Sequence, residues 1–314
     1  ADVGSMYLGA WGPSLLQIAL FALYTFFLSR IRPDDLPPLP ASELTLKGWA
    51  LWKKCLLGII PSAVLIFLVL GTIMTGIATP TESGAMGAMG ALLLAWLRLA
   101  NIPNLKGVIQ EAYQSTMRIT TMVVFILIGS TCFSVVFQGV DGGFWVEELF
   151  SNLPGGWIGF LIVVNVFVFF LAFFLDFFEI AFIVVPMLAP VAVKLLSPVL
   201  LDSMNGNPQA AASAALVWFG VMLCVNMQTS FMHPPFGFAL FYLRGVAPKE
   251  VKSGDIYWGA LPWVGLQLIM VIVVMAFPSL VTTFLDKPAA ITQSQDFNFT
   301  GGDTNKPDSP SSKV

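Results

Sequence analysis

Apolar residues in this chain come in long uncharged runs rather than in the short alternations of a soluble fold. Stretches without Asp, Glu, Lys or Arg cover residues 3–29, 55–81, 119–140, 149–175, 203–243 and 256–285. Each is long enough to cross a bilayer core as helix, which takes about 20 residues. The pattern predicts spans at 8–28, 55–76, 82–97, 119–138, 157–175, 210–232 and 257–285. Residues 44–54 form an amphipathic interfacial entry, with Trp49 and Trp52 suited to headgroup depth, and 104–118 an amphipathic connector. Pro33, Pro37, Pro38 and Pro40 cannot continue the first helix. Residues 202–209 make a polar turn, and a short helix runs to about Leu243. The fold class is all-α, a polytopic membrane protein.

Composition sharpens this. Of 314 residues 57% are hydrophobic and 11% charged, with mean hydropathy +0.82; a soluble domain carries about 25% charged residues. A soluble enzyme, a nucleic-acid binder and a disulfide-framed secreted domain are excluded. Cys55, Cys132 and Cys224 sit in apolar runs without a CxxC spacing and behave as small hydrophobes. Loop 29–54 carries Arg30, Arg32, Lys47, Lys53 and Lys54, loop 98–118 carries Arg98, Lys106 and Arg118, and loop 244–256 carries Arg244, Lys249 and Lys252; loop 139–156 has no basic residue. The positive-inside rule puts the first three in the cytoplasm and the fourth outside. The first and last spans then run in opposite senses, as an inverted repeat requires. Residues 286–314, rich in Ser, Thr, Asn, Asp and Pro, read as a disordered periplasmic tail.

Three apolar stretches contain helix breakers, and a helix broken in hydrocarbon needs protein or water to cover its backbone. The first is TGIATPTESG, 75–84, where Thr79, Thr81 and Glu82 surround Pro80. Hydroxyls and free carbonyls suit a hard cation such as sodium, and the helix start after Pro80 suits an anion. The same residues also fit an ordinary capped turn. Glycines 84, 87 and 90 allow close helix approach. The second is LDFFEIAFIVVPMLAP, where Asp176 and Glu179 share one face if helical and Pro186 and Pro190 break the run. Acids there line a cation path or mark a solvated helix end. The third is NMQTSFMHPPFG, 226–237, where Asn226, Gln228, Thr229, Ser230 and His233 precede Pro234, Pro235 and Gly237. Unwound segments of this kind build the sites of secondary transporters.

Together GIATPTESGAMGA, FFLDFFEIAFIVVPMLAPV and VNMQTSFMHPPFGFALFYLRGVAP resemble the large membrane subunit of tripartite ATP-independent periplasmic (TRAP) transporters. The similarity runs from about residue 5 to 285, with MYLGAWGPSLLQ and RPDDLPPLP matching that family's mid-chain. It implies an ion-transporter-type inverted-repeat fold with re-entrant hairpins and broken helices. Residues 1–43 would be the last span and linker of an N-terminal repeat missing here or carried separately, 44–285 the C-terminal transmembrane repeat, and 286–314 the tail. It further implies import of an organic acid (a carboxylate) with sodium as coupling ion and no cofactor. Implied partners are a soluble periplasmic substrate-binding protein and a small four-helix membrane subunit, in the bilayer of the bacterial inner membrane. Thr79, Pro80, Thr81 and Glu82 become one hairpin or ion-site segment; Asp176 an ion-site or gating acid; Asn226, Thr229, Pro234, Pro235 and Gly237 the break facing substrate and sodium. Thr79, Thr81, Asp176 and Thr229 are the candidate sodium ligands. His233 stands where the family commonly has Thr, a departure that bears on ion or substrate preference.

Rival functions are a stand-alone sodium–dicarboxylate symporter, a channel, and an intramembrane enzyme using Asp176, Glu179 and His233 as an acid–base set. No HExxH, GxSxG or paired-Asp motif supports the enzyme.

Overall fold

The computed structural model of the chain describes residues 2–36, 47–97, 105–175, 177–233, 237–248 and 250–285, and all regular structure among them is helical. The expectations for the 37–43 linker, Asp176, Pro234, Pro235 and the tail at 286–314 lie outside the described residues. Helix α1 covers Val3–Ile31, with Asp2 as N-cap accepting from the Ser5 amide. A hairpin follows, α2 (Trp49–Met74) and α3 (Pro80–Leu97). Helix α4 spans Leu105–Gly139, α5 Gly142–Ser151 and α6 Gly156–Leu171. A short α7 (Phe177–Glu179) runs through a π segment, Ile180–Val184, into α8 (Val185–Leu200). Then come α9 (Pro208–Met227), a 3-10 turn (Gln228–Met232), α10 (Phe238–Val246), α11 (Ser253–Ala276) and α12 (Ser279–Thr282).

Among the described residues six helices are long and apolar enough to cross a membrane, and α5 with α6, bent by 118°, make a seventh span if counted as one. The chain is thus a multi-pass membrane protein. Several boundaries differ from the sequence pattern. Residues 49–54 continue α2 instead of forming a separate interfacial entry. Connector and span merge into the 35-residue α4. Loop 139–156 contains α5, entered through Asp141 in the left-handed region (φ 56°). The last span ends at Ala276, because Phe277–Pro278 interrupts it before α12. Helix α3, 18 residues described and with a polar first turn, is not among these six.

Helix α9 is the hub. It packs against α1, α6, α8, α11 and α12, and buries residues on every side, including Ala211, Val217, Trp218, Phe219, Met222 and Asn226. A helix apolar all round belongs in a core or a membrane. Trp218 donates through Nε1 to the Val274 carbonyl of α11 at 2.9 Å, and Phe219 stacks on Phe160 of α6 with centroids 5.7 Å apart. Near its end α1 places Phe21 and Tyr24 against Trp263 in the first half of α11. Near its start, Gly9 lies against Val281 and Gly12 against Leu280. Helices α1 and α11 therefore run antiparallel, so Arg30 and Arg32 share one end of the bundle with Arg244 and Lys252. That geometry agrees with the charge count that put both loops on one side.

Gly12 permits the closest approach: a Cβ there would overlap the Leu280 carbonyl oxygen, which backbone cannot yield. Gly12→Val is expected to destabilise by about 1–3 kcal/mol. Gly58→Ala, where an added Cβ meets nothing within 4 Å, is expected to be neutral or stabilising by up to about 1 kcal/mol. Thermal unfolding of the two variants in detergent checks the contrast.

Candidate functional site

The three interrupted stretches resolve into different structures. At the hairpin tip, α2 ends at Thr75 and the chain turns through Gly76 (φ 69°). Thr79 donates its amide and its hydroxyl to Glu82 Oε2 at 2.8 and 2.9 Å, while the Glu82 amide points back to Thr79 Oγ1 at 3.4 Å. This is a capping box, T-x-x-E, around Pro80 in the first turn of α3. Glu82 and Thr79 thus spend their polar groups on the helix start, and Thr81 is exposed beside them. Just inside the tip, buried Ser83 bonds to Thr72 at 3.0 Å, tying the two arms together. A Cβ at Gly87 would sit 2.9 Å from Val69, and one at Gly90 would overlap Leu65. Gly84 faces open space, so the close approach rests on Ser83, Gly87 and Gly90. Among the described residues the hairpin packs chiefly on α1.

The second interruption lies earlier than the prolines predict. Helix α6 ends at Leu171 and the chain turns through Ala172–Leu175 before α7 starts at Phe177. Pro186 and Pro190 stand within α8, contrary to the expectation that they break it. The π segment explains the tolerance. Pro186 has no N–H to give the Phe182 carbonyl four residues earlier, and that carbonyl instead accepts from Ser130 Oγ of α4. Ser130 is 6% exposed.

The third interruption is the most thoroughly supported. The last four carbonyls of any helix lack an intrahelical partner, and in α9 each finds one. The Gln228 amide donates to the Cys224 carbonyl. Gln267 Nε2 of α11 donates to Val225 O at 3.2 Å, Thr229 Oγ1 to Asn226 O at 2.7 Å, and Ser230 Oγ to Met227 O at 2.7 Å. Gln267 also donates to Gln228 Oε1. Behind them Asn226 Nδ2 donates to the Asn165 carbonyl and to Asn165 Oδ1 at 2.8 and 3.1 Å, and Asn165 Nδ2 donates to Leu161 O at 2.8 Å. Asn165 and Gln267 sit in the interiors of α6 and α11, so α9 ends at membrane depth and not at a surface.

Here the second and third interruptions meet. The His233 imidazole stacks on Phe173, centroids 4.0 Å apart and planes 9° apart, and meets Phe169 edge-on at 4.9 Å. Phe177 lies 5.5 Å from Phe231. Gly237 closes the turn, since a Cβ there would fall 2.8 Å from the His233 carbonyl oxygen. Three buried polar atoms around this junction have no hydrogen-bond partner: Asn226 Oδ1, His233 Nδ1 and His233 Nε2. Leaving each unpaired costs about 1–3 kcal/mol. Gln17 of α1 has the same condition at both side-chain polar atoms, beside a cavity of about 460 Å³ that Gln228 also lines. No group of three or more His, Cys, Asp or Glu able to hold a metal occurs among the described residues.

The predicted residues therefore divide. Asn226, Thr229, His233 and Gly237 come together; Thr79, Pro80, Thr81 and Glu82 form a separate capped tip; Asp176, Pro234 and Pro235 lie outside the described residues. Sequence reasoning missed Asn165, Gln267 and Ser130. A lone amide or hydroxyl in an otherwise apolar membrane run was the available signal.

A family model described as "Tripartite ATP-independent periplasmic transporter, DctM component" matches residues 1–280. The chain is 26% identical over 287 residues to the C4-dicarboxylate TRAP transporter large permease protein DctM of Rhodobacter capsulatus, covering 89% of this chain and 57% of that protein. It is 27% identical over 314 residues to the protein of the same name from Vibrio cholerae serotype O1, covering 93% and 63%. It is 25% identical over 215 residues to the sialic acid TRAP transporter permease protein SiaT of Haemophilus influenzae, covering 68% and 32%. The chain thus spans about three fifths or less of the length of these relatives.

Three substitutions at two positions test the assignments above. Glu82→Gln preserves a capping box, which accepts Glu or Gln at that position, and is expected to leave hydrogen exchange in the first turn of α3 unchanged, whereas Glu82→Ala is expected to speed it. Ser130→Ala removes the hydroxyl that serves the Phe182 carbonyl and is expected to cost about 1 kcal/mol, with faster hydrogen exchange confined to residues 180–187. Uniform exchange along α8 would show that Ser130 does not support the π segment.

Proposed function

The chain belongs to the DctM component of the tripartite ATP-independent periplasmic transporter family, and on that premise we propose that it forms the transport-site half of a sodium-coupled importer of organic acids. The observation that carries this reading is the meeting of two helix interruptions at membrane depth around unpartnered polar atoms. In hydrocarbon such backbone is tolerated only where protein covers it or a cavity needs it, and secondary transporters place their sites there. Asn226 Oδ1, buried and without a donor, offers an oxygen to a cation. The Thr229 hydroxyl, whose proton is given to Asn226 O, keeps its lone pairs for the same ion. Asp176 adjoins this junction in sequence and is a further ligand or gating acid on the same proposal. Thr79 and Thr81 stand apart at the hairpin tip, where the Thr79 hydroxyl donates to Glu82 Oε2 and Thr81 is exposed, and on the same proposal they are ligands of a separate sodium position.

Two of the relatives are named for C4-dicarboxylates and sialic acid, and both are carboxylates. Sodium bound first offsets the charge of an incoming carboxylate, so neither enters efficiently alone. On the same reading a periplasmic binding protein delivers the acid, a small membrane subunit accompanies the chain, and the assembly sits in the bacterial inner membrane.

Uptake of a panel of labelled carboxylic acids into proteoliposomes holding the complete transporter tests this. Saturable uptake that needs both an inward sodium gradient and the binding protein is the expected result. Uptake without the binding protein would move the chain to stand-alone symport, and non-saturable flux to a channel. Thr229→Val is expected to raise the sodium concentration for half-maximal uptake about tenfold, the loss of roughly one polar contact, while Thr229→Ser stays near wild type. An unchanged sodium curve in Thr229→Val removes Thr229 from the ion site.

A further inference from the structure

Helix α5 has two working faces. On one, Phe150 meets Phe160 of α6 edge-on at 5.3 Å, and Glu147 pairs with Lys194 of α8. On the other, Trp145, Glu148, Leu149 and Asn152 follow the i, i+3, i+4, i+7 spacing of a single helix stripe. Together with Phe137 of α4 and Val140 just beyond it, this stripe lines an open groove of about 910 Å³. Gly142 lets the two helices close on each other at its floor, since a Cβ there would overlap the Phe137 ring. The groove is apolar and outward-facing, with Trp145 72% and Leu149 65% exposed. Among the described residues Glu148 is the one charged side chain that lines it.

The position of α5 follows from its neighbours. At the start of α6, Trp157 meets Trp218 of α9, whose Nε1 reaches the Val274 carbonyl near the end of α11. Lys252, at the start of α11, marks the opposite end of the bundle. Helix α5 therefore lies at the end that the charge count puts outside. Its 118° bend from α6 lays it more across the bundle than along it. An apolar stripe bearing a tryptophan in that attitude belongs at headgroup depth, where lipid covers it. The charge around the groove has one sign. Residues 139–156 hold Asp141, Glu147 and Glu148 and no Lys or Arg. Lys194 is taken by Glu147, and Glu148 has no ion-pair partner among the described residues. An anionic headgroup is repelled here, and a quaternary ammonium has no N–H to donate. A primary ammonium has three, and the Glu148 carboxylate and the Asn152 side-chain carbonyl, one turn apart, both accept.

Going beyond transport itself, we propose that the groove between the end of α4 and α5 is a site for one outer-leaflet phospholipid with a primary ammonium headgroup, as in phosphatidylethanolamine. Its acyl chains cover Phe137, Val140, Trp145 and Leu149, and its ammonium lies against Glu148 and Asn152. The site does not depend on what the protein carries.

Native mass spectrometry of the complete transporter in detergent tests this, with phosphatidylethanolamine competing against phosphatidylcholine and phosphatidylglycerol of identical acyl chains. Wild type is expected to retain phosphatidylethanolamine about fivefold over either competitor, the upper range for an exposed ion pair. Glu148→Gln keeps the shape of the stripe without its charge and should bring the ratio towards one. Glu148→Lys should turn the preference to phosphatidylglycerol. Leu149→Ser should weaken retention of all three lipids alike, because it removes apolar cover and leaves the charge. All three changes fall on exposed positions, so the fold is kept. No headgroup preference in wild type, or a preference that Glu148→Gln and Glu148→Lys leave unchanged, overturns the site. Groove-independent retention, unmoved by Leu149→Ser, overturns it as well.

Discussion

Every feature of this chain answers to one constraint: in an apolar medium a backbone N–H or C=O must find its partner inside the protein. Unbroken helices meet it by themselves. The interesting positions are those where they do not, and at each a side chain from another turn or another helix supplies what is missing. Thr79 and Glu82 serve the start of α3. Ser130 serves the carbonyl that Pro186 abandons. Gln267, Thr229 and Ser230 serve the end of α9. Polar residues in the core are few, and nearly all of them are assigned to this work.

That accounting separates structural polarity from functional polarity. Glu82 looks chemically promising in the sequence, yet its carboxylate is committed to its own helix. The junction of the α6 end with the α9 end is different, because after the exposed carbonyls are served, Asn226 Oδ1 and the two His233 nitrogens are left over. Gln17 is bare in the same way beside its own cavity; what sets the junction apart is that its bare atoms lie where two interruptions meet. The surplus is what a ligand or ion would use.

The sequence made the fold class legible because uncharged runs longer than a bilayer is thick admit little else. It located the third interruption, 226–237, through Pro234 and Pro235, and the structure adds that this segment ends a helix in mid-membrane beside Asn165 and Gln267. It misjudged the second. Pro186 reads as a breaker, but a π segment lets the helix pass through, and the rescuing Ser130 lies 52 residues away. Such a pairing has no local signature. The merger of connector and span into α4, and the ten-residue α5 inside a predicted loop, were hidden for a related reason: polar residues on one turn of a long helix look like a loop when only hydropathy is read. At Glu82 the sequence left two readings open because a capping box and an ion-binding loop use the same residue types at the same spacing, and the structure shows the capping box.

The amides, hydroxyls and imidazole that the described part of the proposed site contributes have a physical consequence for coupling. Burying a lone carboxylate costs several kcal/mol after relaxation, and neutral dipoles recover only part of it. A sodium ion held by Asn226 and Thr229 would recover more, but the ion carries the same penalty when it stands alone. Each charge is then tolerable only beside the other. On the proposed function, obligatory co-transport needs no dedicated gate between the two sites; it follows from a junction that can hold a neutral pair and holds either member of it poorly. Fixed positive charge at this depth would bind the acid without sodium and uncouple it from the gradient, and among the described residues no Lys or Arg lies in α6, α9 or α11.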